Sequence, residues 1–136
     1  MAISLPRLFH WLYPSPNDPK GTYPESRLKD LILFVTDRCN MRCDHCMFWQ
    51  RIDDPGPEMS LEQMQCIARS IPPLRTLAMT GGEPFLRKDL PDLVETFFRD
   101  NRTHHIQVNS NGILLDRMED LVCRDFAARY QHHLTY

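Results

Sequence analysis

The chain has 136 residues, enough for one domain with a sizeable core, and 42% hydrophobic with 25% charged residues is an ordinary globular composition. Sixteen basic against eighteen acidic residues leave a formal charge of −2, so there is no electrostatic footprint for a nucleic-acid partner. Five cysteines, an odd number with three close together, argue against a secreted disulfide framework and for a reducing cytoplasm.

Residues 1–29 read as an irregular, proline-rich N-terminal arm. Pro6, Pro14, Pro16, Pro19 and Pro24 break any long element, and Leu8, Phe9, Trp11, Leu12 and Tyr13 form a short apolar cluster expected to pack on the domain that follows. The cluster is too short and too interrupted to span a bilayer, and it lacks the cationic start and continuous apolar core of a signal peptide.

The domain proper is expected over residues 30–136. Residues 31–36 form an apolar run that predicts a strand buried on both faces. Directly after it, Cys39, Cys43 and Cys46 are spaced C-x3-C-x2-C, three thiolates in one tight loop. Soft sulfur ligands suit iron, and cuboidal iron–sulfur clusters normally take four cysteines, so three leave one iron open to a small molecule. A bacterial ferredoxin has a different spacing with a proline after its last cysteine. The competing reading is a non-enzymatic metal-binding module, either a zinc-stabilised domain or an inactive remnant. Zinc needs four ligands, and of the cysteines only Cys43 and Cys46 form a C-x2-C pair, while Cys66, Cys123, His104 and His105 lack a partner at ligand spacing. Cys66 and Cys123 fall in predicted helices and read as small buried hydrophobes. Phe48 and Trp49 would shield a cluster from water or simply pack in a core.

Ser60 with Gln63 is a capping box, followed by Leu61, Met64, Ala68 and Ile71 at helical spacing and a Pro72-Pro73 stop. An apolar stretch at 74–80 predicts the second strand, and it runs into Gly81-Gly82-Glu83-Pro84. Two glycines at a strand end permit unusual dihedrals and close backbone approach, and the acid after them can accept from an ammonium group. Arg87-Lys88 reads as a solvated pair ahead of a helix with Asp89 as N-cap, Pro91 in the first turn and Leu93, Val94, Phe97 and Phe98 as its apolar stripe. A third strand at 106–109 leads into the turn Ser110-Asn111-Gly112. Met118, Leu121, Val122 and Phe126 mark a third helix, and residues 133–136 open a fourth strand.

Strands alternating with helices imply parallel βαβ units, and all three loop motifs fall at the carboxyl ends of strands, where such folds place their chemistry. No acid/base pair or nucleophile–base couple indicates hydrolysis.

From residue 31 to residue 112 the chain resembles the radical S-adenosylmethionine (radical SAM) superfamily, in which C-x3-C-x2-C follows the first strand and Gly-Gly-Glu-Pro ends the second. The Asn40-Met41-Arg42 insert is most similar to the branch that holds molybdenum-cofactor-synthesis-like and peptide-maturase-like enzymes. The resemblance implies an α/β fold, an incomplete (β/α)6 partial TIM-type barrel with about three βα units and the start of a fourth strand. On this likeness the chain is the N-terminal part of a larger core domain. Cys39, Cys43 and Cys46 would hold a 4Fe-4S cluster, with no catalytic residue beyond it, and S-adenosylmethionine would chelate the fourth iron. His45 would lie near the adenine, Gly81, Gly82, Glu83 and Pro84 near the methionine ammonium, and Ser110 and Asn111 would complete the cofactor pocket. The implied activity is reductive cleavage of S-adenosylmethionine to a 5′-deoxyadenosyl radical that abstracts hydrogen from a substrate. A reductase or a flavodoxin- or ferredoxin-type protein would donate the electron.

Overall fold

The computed structural model describes residues 28–47, 52–123 and 133–135. The apolar cluster at 8–13, Phe48-Trp49 and Phe126 lie outside the described residues. Four parallel strands in the order β1-β2-β3-β4 form one sheet: β1 Asp30–Thr36, β2 Thr76–Gly81, β3 His105–Val108 and β4 Leu134–Thr135. Helices α1 (Leu61–Ser70), α2 (Leu90–Thr96) and α3 (Leu115–Val122) connect them in the alternation expected of a partial barrel.

The core lies between the sheet and its helices. Leu33 and Val35 of β1, Leu77 and Met79 of β2, Ile106 and Val108 of β3 and Leu134 of β4 alternate along their strands onto one face. There they meet Met64, Ala68, Leu93, Val94 and Leu121 from the helices. This corrects the expectation for β1, which is not buried on both faces. Ile32 and Phe34 are 65% and 46% exposed, because among the described residues the helices cover one side of the sheet only.

Helix α1 starts on the expected capping box, in which Ser60 N–H donates to Gln63 Oε1 at 2.8 Å and Gln63 N–H to Ser60 Oγ at 3.3 Å. Its far end is held from a distance by Asn101, at the end of a π-helical turn over Phe97–Asn101 that extends α2. The buried Asn101 amide donates to the carbonyls of Ala68, Ile71 and Pro72 at 2.8, 3.2 and 3.2 Å, and its oxygen accepts from Leu74 N–H and the Thr103 hydroxyl. One side chain thus closes α1 and aligns β2 behind it.

Two side chains depart from expectation. Asp89 stands at the N-cap position of α2 but makes no side-chain cap, because its carboxylate is taken by Arg87. Arg87 itself is not solvated, and its side chain is 3% exposed. Cys66 and Cys123 are also not core residues, since both are exposed.

Candidate functional site

The cysteine loop leaves β1 after Thr36 and returns before Ser60, and the two ends are bolted together. The Thr36 hydroxyl donates to Glu58 Oε1, and Arg38 grips the same carboxylate through Nε at 2.7 Å and Nη2 at 3.0 Å. Burial works to raise the Glu58 carboxyl, but the bonds from Arg38 and Thr36 and the Arg38 charge outweigh it and hold the group below its usual range. Below this tie, Arg87 Nη1 donates to Val35 O at 2.9 Å and to Met59 O at 3.0 Å, one carbonyl on each side of the loop. Farther out, Arg42 pairs with Asp53 across the loop.

Within this closed loop Cys39, Cys43 and Cys46 are half-buried thiols, none of them joined in a disulfide. Cys46 N–H donates to Cys43 O at 3.0 Å and Met41 N–H to Cys39 Sγ at 3.4 Å. Among the described residues no three His, Cys, Asp or Glu side chains converge as they would around a single metal ion. In a cuboidal cluster each cysteine ligates a different iron through its soft sulfur. The donor set of three soft sulfurs therefore fits the cluster.

The Gly81-Gly82 turn docks directly on the start of this loop. Gly82 N–H donates to Thr36 O at 2.8 Å and Glu83 N–H to Arg38 O at 2.7 Å. A β-carbon on Gly82 would lie 2.1 Å from Arg38 O, and one on Gly81, whose φ is +141°, would lie 2.1 Å from Thr36 O. The glycines let two backbones meet, and the second backbone is that of the cysteine loop.

Glu83 is fully buried and its carboxylate is directed into the protein. Oε1 accepts from Phe85 N–H and the Ser110 hydroxyl, each at 3.0 Å, and Oε2 accepts from Asn111 N–H at 2.8 Å. Pro84 is buried beside it and opens a short 3-10 turn over Pro84–Leu86. The Asn111 side chain crosses to the cysteine loop, where Nδ2 donates to Asn40 Oδ1 at 2.8 Å. His45 is exposed between Cys43 and Cys46. The motifs after β1, β2 and β3 thus join at one end of the sheet. Sequence reasoning missed Glu58 and Arg87. Their partners lie 20 to 22 and up to 52 residues away, and no local pattern marks such bonds.

Among the described residues no helix is long and apolar enough to cross a membrane. Comparison with known proteins agrees with the geometry. The chain is 41% identical over 90 residues to a probable GTP 3′,8-cyclase of Archaeoglobus fulgidus, an overlap covering 65% of this chain and 29% of that protein. It is 38% identical over 98 residues to the GTP 3′,8-cyclase of Staphylococcus carnosus and 36% over 97 to that of Xanthomonas campestris pv. campestris, each covering 66% of this chain and 29% of the relative. The chain therefore spans less than a third of the length of these relatives. The family model for the radical SAM superfamily matches residues 33–134, most of the described domain. With its three-cysteine loop stitched to a Gly-Gly-Glu-Pro turn at the carboxyl ends of parallel strands, this chain belongs to the radical SAM superfamily, whose members use a 4Fe-4S cluster and S-adenosylmethionine.

Proposed function

We propose that this chain carries the cluster- and cofactor-binding part of a radical SAM enzyme. The observation that carries the reading is the docking of Gly82 and Glu83 on Thr36 and Arg38, which sets the Gly-Gly-Glu-Pro turn beside the loop of Cys39, Cys43 and Cys46. In this reading the three cysteines hold the cluster, which when bound supplies the electron that cleaves S-adenosylmethionine to methionine and a 5′-deoxyadenosyl radical. His45, Gly81, Gly82, Pro84, Ser110 and Asn111 border the cofactor. Glu83 serves it by fixing the turn, since its carboxylate is already occupied by three donors. The neck built by Glu58 and Arg87 holds the loop in place. A one-electron donor of the flavodoxin or ferredoxin type reduces the cluster, and the cytoplasm is where the thiols stay reduced. The names of the relatives support a guanine nucleotide as substrate, with hydrogen abstraction starting a cyclisation.

Anaerobic reconstitution tests the reading. The wild-type chain is expected to take up about four irons and four sulfides, and Cys39→Ala, Cys43→Ala or Cys46→Ala to abolish assembly, while Cys66→Ala and Cys123→Ala leave it intact. Iron retained in Cys43→Ala, or a colourless protein with one zinc, would overturn the assignment. Formation of 5′-deoxyadenosine under reductant, raised by GTP, tests the finer part.

A further inference from the structure

The side chain of Asn111 has an orientation that its surroundings decide. Oδ1 accepts from Ile113 N–H at 3.0 Å, which leaves Nδ2 facing the cysteine loop. There Nδ2 donates to Asn40 Oδ1 at 2.8 Å and stands 4.0 Å from Cys39 Sγ, at the outer reach of an N–H···S bond. The backbone beneath is fixed as well: Asn111 N–H donates to Glu83 Oε2, Ser110 Oγ to Glu83 Oε1, and Gly112 N–H to Ser110 Oγ at 3.0 Å. Glu83 is in turn tied to the cysteine loop through its own N–H and Arg38 O. A continuous path of bonds therefore runs from the buried carboxylate to the residue that follows Cys39.

Asn40 lies between Cys39 and Met41, and Met41 N–H is the nearer donor to Cys39 Sγ at 3.4 Å. Holding the Asn40 side chain thus holds the peptide that aims Met41 N–H at the sulfur, and the Asn111 amide adds a second dipole on the same atom. Donors to a thiolate ligand stabilise the reduced, more negative state of an iron–sulfur cluster and raise its potential.

We propose that Asn111 is a positioning residue for the cluster, holding Asn40 so that Cys39 keeps its N–H donors and the cluster is reduced at a less negative potential. The inference rests on the cluster assignment above, and the test separates the two. Because Asn111 is exposed, its truncation is expected to leave the fold intact.

The full chain is reconstituted anaerobically as wild type, Asn111→Ala, Asn40→Ala and the double variant, and each is titrated electrochemically without S-adenosylmethionine while iron content and apo melting temperature are recorded. The expected result is full iron, an unchanged apo melting temperature and a midpoint shifted to more negative potential in Asn111→Ala. The double variant should shift no further than the larger single shift, as coupled residues do. Iron lost from Asn111→Ala at an unchanged apo melting temperature would also support positioning. A midpoint equal to wild type at full iron, a shift to more positive potential, additive shifts in the double variant, or iron lost together with apo stability would overturn it. Absence of iron from the wild type would instead remove the cluster assignment itself, and this inference with it.

Discussion

Arg87 grips Asp89 across a single intervening residue through two bonds, Nε to Oδ1 at 2.9 Å and Nη2 to Oδ2 at 2.6 Å. Bonding from Arg87 comes first in holding the Asp89 carboxyl below its usual range, against the opposing effect of burial. The guanidinium thus reaches the interior already paired, and its remaining nitrogen is free to join Val35 O to Met59 O at the base of the cysteine loop.

Arg87→Met is therefore expected to destabilise the fold by about 2–4 kcal/mol, since it strands two carbonyls and a partly buried carboxylate. Arg87→Lys should recover only part of this, because one ammonium cannot reproduce the fork on Asp89 and still reach both carbonyls. Urea unfolding measures the loss, and faster hydrogen exchange across residues 37–47 would place it at the loop.

Gly82→Ala should fail to load iron, because the added β-carbon meets Arg38 O at 2.1 Å and displaces the backbone leading to Cys39. The resemblance implies the methionine group as a neighbour of this turn, and the structure adds the backbone of the cysteine loop as what a β-carbon here would meet. Gly112→Ala provides the contrast. Its φ of +76° costs an alanine about 1 kcal/mol, yet nothing lies within 4 Å, so iron uptake should survive. Equal iron in the Gly82→Ala and wild-type proteins would show that the two backbones part without consequence.

Much of this was legible beforehand, and the reasons are physical. Local periodicity marks α1 through Ser60, Gln63, Met64 and Ala68, and the three loop motifs stand at strand ends because a parallel sheet puts them there. What the pattern does not carry is which neighbours cover a strand. Ile32 and Phe34 look like core residues in a linear apolar run, and their exposure depends on helices packing against the other face alone. Arg87 is the same problem in reverse: a charge before a helix looks solvated until Val35 and Met59, far along the chain, supply acceptors. Glu83 reads as a ligand group from its motif, and only the arrival of Ser110 and Asn111 shows its carboxylate engaged.

Asn101→Asp is expected to be more damaging than Asn101→Ala. Alanine forfeits the bonds to Ala68, Ile71 and Pro72 and leaves those carbonyls and Leu74 N–H to find other partners, a loss of about 2–4 kcal/mol. Aspartate keeps the acceptor for Leu74 but turns a negative oxygen toward three carbonyls, adding repulsion to the same loss. Denaturant midpoints of the two variants decide the order, and an aspartate variant as stable as wild type would refute the account of Asn101 as a donor.

Mild acid should loosen the junction of β3 and β4. The rings of His104 and His133 meet edge to face with centroids 4.6 Å apart, and partial desolvation, then the charges of His133 and His105, lower the His104 pKa. A base with a lowered native pKa binds fewer protons folded than unfolded, so stability is present above about pH 6.5 and declines as pH falls through that value. His104 remains largely exposed, so the effect is a small one. The melting temperature should drop between pH 7.5 and 5.5, and exchange at the Ile106 amide, bonded to His133 O at 2.7 Å, should quicken. His104→Gln should flatten the dependence.

The neck of the cysteine loop has an entropic consequence. A free segment that must bring its ends together before its thiols can cooperate loses chain entropy that grows with the logarithm of its length. Here Thr36 meets Glu58, and Val35 meets Met59 through Arg87, so folding of the sheet and α1 has already closed the ring. The free energy of metal uptake is then spent on ordering the interior of the ring alone. By linkage, whatever loosens the neck weakens metal affinity, and metal bound within it returns stability to the strands that hold it.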